Sequence, residues 1–141
     1  AYIDSYFTRY PKIKEYMDKN IEFAKENGYA KTVFGRIRMI PELSSSNYNV
    51  RKFGERVAMN MPLQGTASDI IKLAMISTFR ELKGLESHII LQVHDELVID
   101  VKKEELEKVE KIVKSCMENV KAFKVPLTVN VGKGKTLFDC K

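Results

Sequence analysis

The chain has 141 residues, 44% of them hydrophobic and 30% charged, and carries a formal net charge of +5. That length supports one domain with its own hydrophobic core, and the balance of apolar to charged residues excludes intrinsic disorder. No apolar run is long enough to cross a bilayer, and no signal peptide opens the chain.

The two cysteines, Cys116 and Cys140, lack the close-spaced partners of a zinc knuckle or a disulfide framework, which suits a reducing cytoplasm. Lysines and arginines run along the whole length, which is compatible with a polyanionic partner, although charge alone favours ordinary solvation. The first residue is Ala1, and residues 1–7 read as helix interior, so the chain is expected to be a piece of something longer.

Ile3, Tyr6, Tyr10, Ile13 and Met17 recur at helical steps and form one stripe. Pro11 divides it into a short helix ending near Arg9 and a second helix that Asn27-Gly28 stops. Over residues 29–40 the period changes, and two short runs flank Gly35 as a small hairpin. Pro41 and Ser44-Ser45-Ser46 form a loop, with Asn47 as the N-cap of the next helix. That helix is expected to stop near Asn60, because Pro62 and Gly65 interrupt its pattern. Another follows over residues 66–82, burying Ile70, Ile71, Ala74, Met75 and Phe79.

After Gly84 the character is β. Residues 88–93 and 97–101 read as two strands, with His94-Asp95-Glu96 between them. Residues 106–120 repeat apolar side chains at helical spacing, and Leu127, Val129 and Val131 alternate as a last strand ending at Gly132. The expected class is α+β: a small, mostly antiparallel sheet (strand, turn, strand, helix, strand) against long α-helices. Residues 1–46 form helices and a hairpin, and residues 47–141 form longer helices and the sheet, within a single domain.

Three places could carry chemistry. The turn His94-Asp95-Glu96 puts two carboxylates and an imidazole between apolar strands. It is either a solvated tip or the place where Asp95 holds Mg²⁺, an ion commonly bound by one or two carboxylates plus substrate phosphates. Arg56, Asn60 and Gln64 are spaced four apart, on one face if the helix continues past Pro62. They form either an exposed polar face or a row of donors toward a nucleic-acid groove. Arg36 and Arg38 alternate on one strand, which suits phosphate contacts or plain solvation.

Read together, these segments closely resemble DNA polymerase family A. Leu91-Gln92-Val93-His94-Asp95-Glu96-Leu97-Val98 matches its motif C nearly residue for residue. Glu55-Arg56-Val57-Ala58-Met59-Asn60-Met61-Pro62-Leu63-Gln64-Gly65-Thr66-Ala67-Ser68-Asp69-Ile70 looks like its long palm helices. Tyr6-Phe7-Thr8-Arg9-Tyr10-Pro11, Gly28-Tyr29 and Thr32-Val33-Phe34-Gly35-Arg36 fit the segment leaving the fingers, and the stretch from Val125-Pro126-Leu127 to Gly132 fits the last palm strand.

The resemblance implies template-directed addition of deoxynucleotides to a primer 3′-hydroxyl, with primer-template DNA, deoxynucleoside triphosphates and two Mg²⁺ ions as partners. By it, Asp95 is one of two metal-binding aspartates, Glu96 a supporting carboxylate, and His94 a neighbour of the primer terminus. Arg56, Asn60 and Gln64 contact the duplex, mainly in its minor groove, while Arg36 and Arg38 hold the backbone.

Two departures qualify this. The family's second aspartate lies in a stretch Asp-Tyr-Ser followed by a hydrophobic residue and Glu, which does not occur here. The nucleotide-binding helix is also missing, since in Lys52-Phe53-Gly54 the lysine directly precedes the phenylalanine and no Tyr-Gly follows. The 141-residue chain alone is therefore expected to be inactive and to need the N-terminal part of a polymerase. The alternative is a non-catalytic nucleic-acid-binding module derived from one. A metal phosphohydrolase of the His-Asp type would need more histidines than His88 and His94.

Overall fold

A computed structural model describes residues 2–140. Helix α1 (Tyr2–Arg9) is followed at once by α2 (Pro11–Asn27), with proline in the first turn of α2, where its missing N–H costs nothing. Gly28 ends α2 in the left-handed region at φ 79, and its N–H bonds the Ala24 carbonyl at 2.8 Å. Strands β1 (Tyr29–Lys31) and β2 (Ile37–Met39) pair antiparallel, with Ala30 opposite Arg38. A 3-10 turn (Pro41–Ser44) leads to α3 (Tyr48–Glu81). Asn47 caps α3, its Oδ1 accepting from the Asn49 and Val50 amides at 2.9 and 3.4 Å.

Helix α3 is continuous through Pro62, contrary to the break expected there. Proline inside a helix removes one backbone bond and costs about 3 kcal/mol in an isolated segment. Here the flanking turns are buried, with Ala58 and Met61 on one side and Ile71 and Ala74 on the other, and packing offsets that cost. The buried stripe of the later turns includes Ile71 and Ala74 as expected, but Thr78 and Leu82 continue it. Phe79, expected inside, is 66% exposed, because it lies off the face defined by residues 71, 74, 78 and 82.

Strands β3 (His88–Val93) and β4 (Glu96–Asp100) form a second antiparallel pair, followed by a 3-10 turn (Lys103–Glu105) and α4 (Leu106–Glu118). The fold is α+β, with two small antiparallel sheets. The last expected strand, over residues 127–131, is absent: the segment is irregular. Its apolar alternation is present in the sequence, but β3 and β4 pair with each other, and neither ladder includes this segment.

The chain divides into two compact units, Ala1–Ala67 and Ser68–Lys141. The core of the first is Ala24, Ala30, Ile40, Ala58 and Met61. In the second, Leu82, Val109 and Val113 are buried, and Ile89, Ile99, Val101, Ile112 and Met117 pack against them. One face of the β3–β4 hairpin therefore sits on α4. A bulge at Ile90 separates the pairs Ile89–Ile99 and Leu91–Val98, so Leu91 and Val93 fall on the other face and are exposed. No described helix is long and apolar enough to cross a membrane.

Candidate nucleic-acid interface and carboxylate turn

In the first unit, α3 presents Arg56, Asn60 and Gln64 one turn apart, all exposed. Because the helix runs on through Pro62, Gln64 stays in line with the other two. Together with Arg38, Phe53, Val57 and Met61 they line an open cleft of about 310 Å³. The Arg56 guanidinium lies 5.8 Å from the Phe53 ring centre, a contact that restrains a long side chain.

Arg38 reaches this cleft because of its register. It faces Ala30, which is 2% exposed and belongs to the core shared with Ala58 and Met61 of α3, so its stem starts on the helix side of the hairpin. Arg36 is not on the strand as expected. It sits in the loop before β2, its N–H held by the Thr32 hydroxyl at 3.1 Å, and it is not part of the cleft lining.

Next to Arg56, Glu55 is 18% exposed and bonds Lys25 of α2 at 2.7 Å and Lys52 at 2.8 Å. The hydrogen bond from Lys25, then that from Lys52, holds its carboxyl at about 2, well below the ordinary 4.5. The cleft thus presents two guanidiniums and two amides, the donor set that suits phosphate, sugar and base-edge acceptors.

In the second unit, the β3–β4 turn has only two residues, His94 and Asp95. Glu96, read from sequence as part of the turn, already pairs with Val93 in the ladder. His94 is the one described non-glycine residue with positive φ, at 51. Primed two-residue turns need such a residue at their first position, because their twist matches that of the strands. The Gln92 side-chain amide donates to the His94 carbonyl at 2.6 Å and ties the turn to its own strand. Asp95 and Glu96 are both exposed.

The base of this hairpin is clasped by Glu105. Its carboxylate accepts from the Glu86 N–H at 3.2 Å, the Ser87 N–H at 3.1 Å and the Ser87 hydroxyl at 2.6 Å. Ser87 in turn accepts from the Lys102 N–H at 3.1 Å, so both strand ends meet at one hydroxyl. The Ser87 bond, with the two amides, lowers the Glu105 pKa.

Two adjacent exposed carboxylates suit a hard, oxygen-seeking cation in their chemistry. Among the described residues no group of three potential metal ligands gathers, at this turn or elsewhere. Sequence reading missed Thr32, Phe53 and Gln92 as supports. Gln92 carried a signal, being the one polar residue between Ile89 and Val93. The others look like ordinary helix and loop residues.

The profile of DNA polymerase family A matches residues 1–139. The chain is 51% identical to DNA polymerase I of Caldicellulosiruptor bescii, over 99% of this chain and 17% of that protein. It is 46% identical to DNA polymerase I of Bacillus subtilis, over all of this chain and 16% of that protein. Among solved structures it resembles the POL domain of Pol1 from M. smegmatis, in complex with DNA primer-template and dNTP. That match has a TM-score of 0.96 and 43% identity, covering 98% of this chain and 25% of the other. The chain thus spans about a sixth of the length of these curated relatives, and over that span it belongs to DNA polymerase family A.

Proposed function

We propose that this segment is the C-terminal part of the palm of a DNA-directed DNA polymerase, holding the primer-template duplex and supplying one of the carboxylates at the reacting centre. The observation that carries the reading is the cleft in which Arg38, Arg56, Asn60 and Gln64 come together. Its donors match the acceptors of a duplex: minor-groove base edges for Asn60 and Gln64, phosphate and sugar for the arginines. Arg36 adds a backbone contact from the loop beside it. The relative solved with primer-template DNA and dNTP supports the same partners.

The reaction is attack of the primer 3′-hydroxyl on the α-phosphate of a deoxynucleoside triphosphate, with pyrophosphate leaving. Asp95 is this chain's ligand for Mg²⁺, Glu96 supports it, and His94 lies beside the primer end. When bound, two such ions favour the ionised attacking oxygen and stabilise the departing one. Asp95 does not do this alone, because the chain contains neither a second metal-binding aspartate motif nor a helix to grip the triphosphate. The remainder of a polymerase is therefore a required partner.

The test is Asp95→Ala in a full-length family A polymerase carrying this segment. Primer extension should fall by at least about a thousandfold, while primer-template affinity stays within about twofold. Incorporation at the wild-type rate would leave only the rival reading, a DNA-binding module without chemistry. The 141-residue chain alone should extend primers no faster than background.

A further inference from the structure

The geometry points to Thr66 as a positioning residue that locks the arginine hairpin onto α3 and so sets Arg38 opposite Asn60 and Gln64. This rests on the duplex-binding reading of that cleft. Thr32 and Thr66 are among the few buried polar residues, at 4% and 9% exposure. A buried hydroxyl is costly unless bonded, and the two are used in sequence. The Thr32 hydroxyl accepts from the Phe34 N–H at 3.2 Å and the Arg36 N–H at 3.1 Å, closing the loop on itself. The Thr32 N–H donates to the Arg36 carbonyl at 2.9 Å.

The closed loop is then fixed to the helix. The Thr66 hydroxyl donates its single proton to the Pro62 carbonyl at 2.5 Å, which turns a lone pair toward the loop, and there it accepts from the Val33 N–H at 3.1 Å. Gly65 allows the approach: a Cβ there would stand 2.7 Å from the Thr32 side chain, closer than real carbons come. The loop is therefore seated on α3 at residues 65–66, one residue past Gln64, and β2 runs from that seat to Arg38. A small shift of the loop would carry Arg38 out of line with the amides of the cleft.

The experiment uses a full-length polymerase carrying this segment and measures primer-template Kd across a salt series. Thr66→Val keeps the shape and removes the hydroxyl. It should weaken binding about five- to tenfold and lower the salt slope by about one phosphate contact. Thr66→Ser should restore both. In an Arg38→Ala background, Thr66→Val should have no further effect, which a merely structural role would not produce. Should the valine variant fail to fold, Gly65→Ala, which keeps the hydroxyl and displaces Thr32, should show the same dependence on Arg38. Wild-type binding by Thr66→Val, no rescue by serine, or an undiminished effect without Arg38 would each overturn the assignment. Gln64→Ala is measured alongside. If it weakens binding while Thr66→Val does not, only the positioning role fails; if neither matters, the duplex-binding reading fails as well.

Discussion

Asn60 and Gln64 line the same cleft although Pro62 stands between them. The proline removes a backbone donor inside α3 without turning the following residue away, so Arg56, Asn60 and Gln64 stay on one line along the helix. A row of this kind divides labour in a testable way.

Arg56→Ala should weaken primer-template binding uniformly across sequences and lower the salt slope by about one contact. Gln64→Ala should cost about 1 kcal/mol, near fivefold in Kd, with little change in salt dependence. Fluorescence anisotropy at several salt concentrations measures both. Unchanged binding by both variants would remove the groove assignment.

Glu55 should tie α2 to α3 in a pH-dependent way. Its folded pKa, about 2, lies below the ordinary 4.5, so its contribution is complete above 4.5 and is lost as pH falls toward 2. Glu55→Gln should loosen the pairing with Lys25 by about 1 kcal/mol at neutral pH. Hydrogen exchange of the α2 amides, corrected for intrinsic pH effects, should show wild type and variant converging across that acid window. A difference that persists at the acid end would mean the ion pair is not its source.

His94 holds a left-handed backbone that costs a non-glycine residue about 1 kcal/mol. His94→Gly should therefore raise exchange protection across the Val93–Glu96 pair while slowing nucleotide incorporation through loss of the imidazole. His94→Ala should slow incorporation equally and gain no protection. Lower protection in the glycine variant would show that the turn is unstrained, and normal incorporation would show that the ring is not used.

Much of the architecture was legible because it is local. Gly28 and Asn47 cap helices as read, since a left-handed stop and a side-chain acceptor for two amides depend only on adjacent residues. The two hairpins and α4 follow from periodicity for the same reason. Three features were not local. Whether Pro62 breaks a helix depends on what its flanks bury, and Ala58, Met61, Ile71 and Ala74 lie on both sides of it. Whether residues 127–131 form a strand depends on a neighbouring edge, which alternation in one segment cannot supply. Arg38 reaches the cleft through its pairing with Ala30, a register that spacing between arginines does not disclose. Of the candidate residues, the helix row could be read from four-residue steps, whereas the threonines behind it are visible only once loop and helix touch.

The bulge at Ile90 separates two things that are usually treated as one. The pairs on either side of it, Ile89–Ile99 and Leu91–Val98, would remain in register if that residue were removed. Every partner across the ladder would be kept, yet the strand would lose its local bend and extra twist. A carboxylate can thus be present in its turn with its neighbours intact and still be aimed wrongly, because in this hairpin the identity of the acid and the direction it faces are written in different residues.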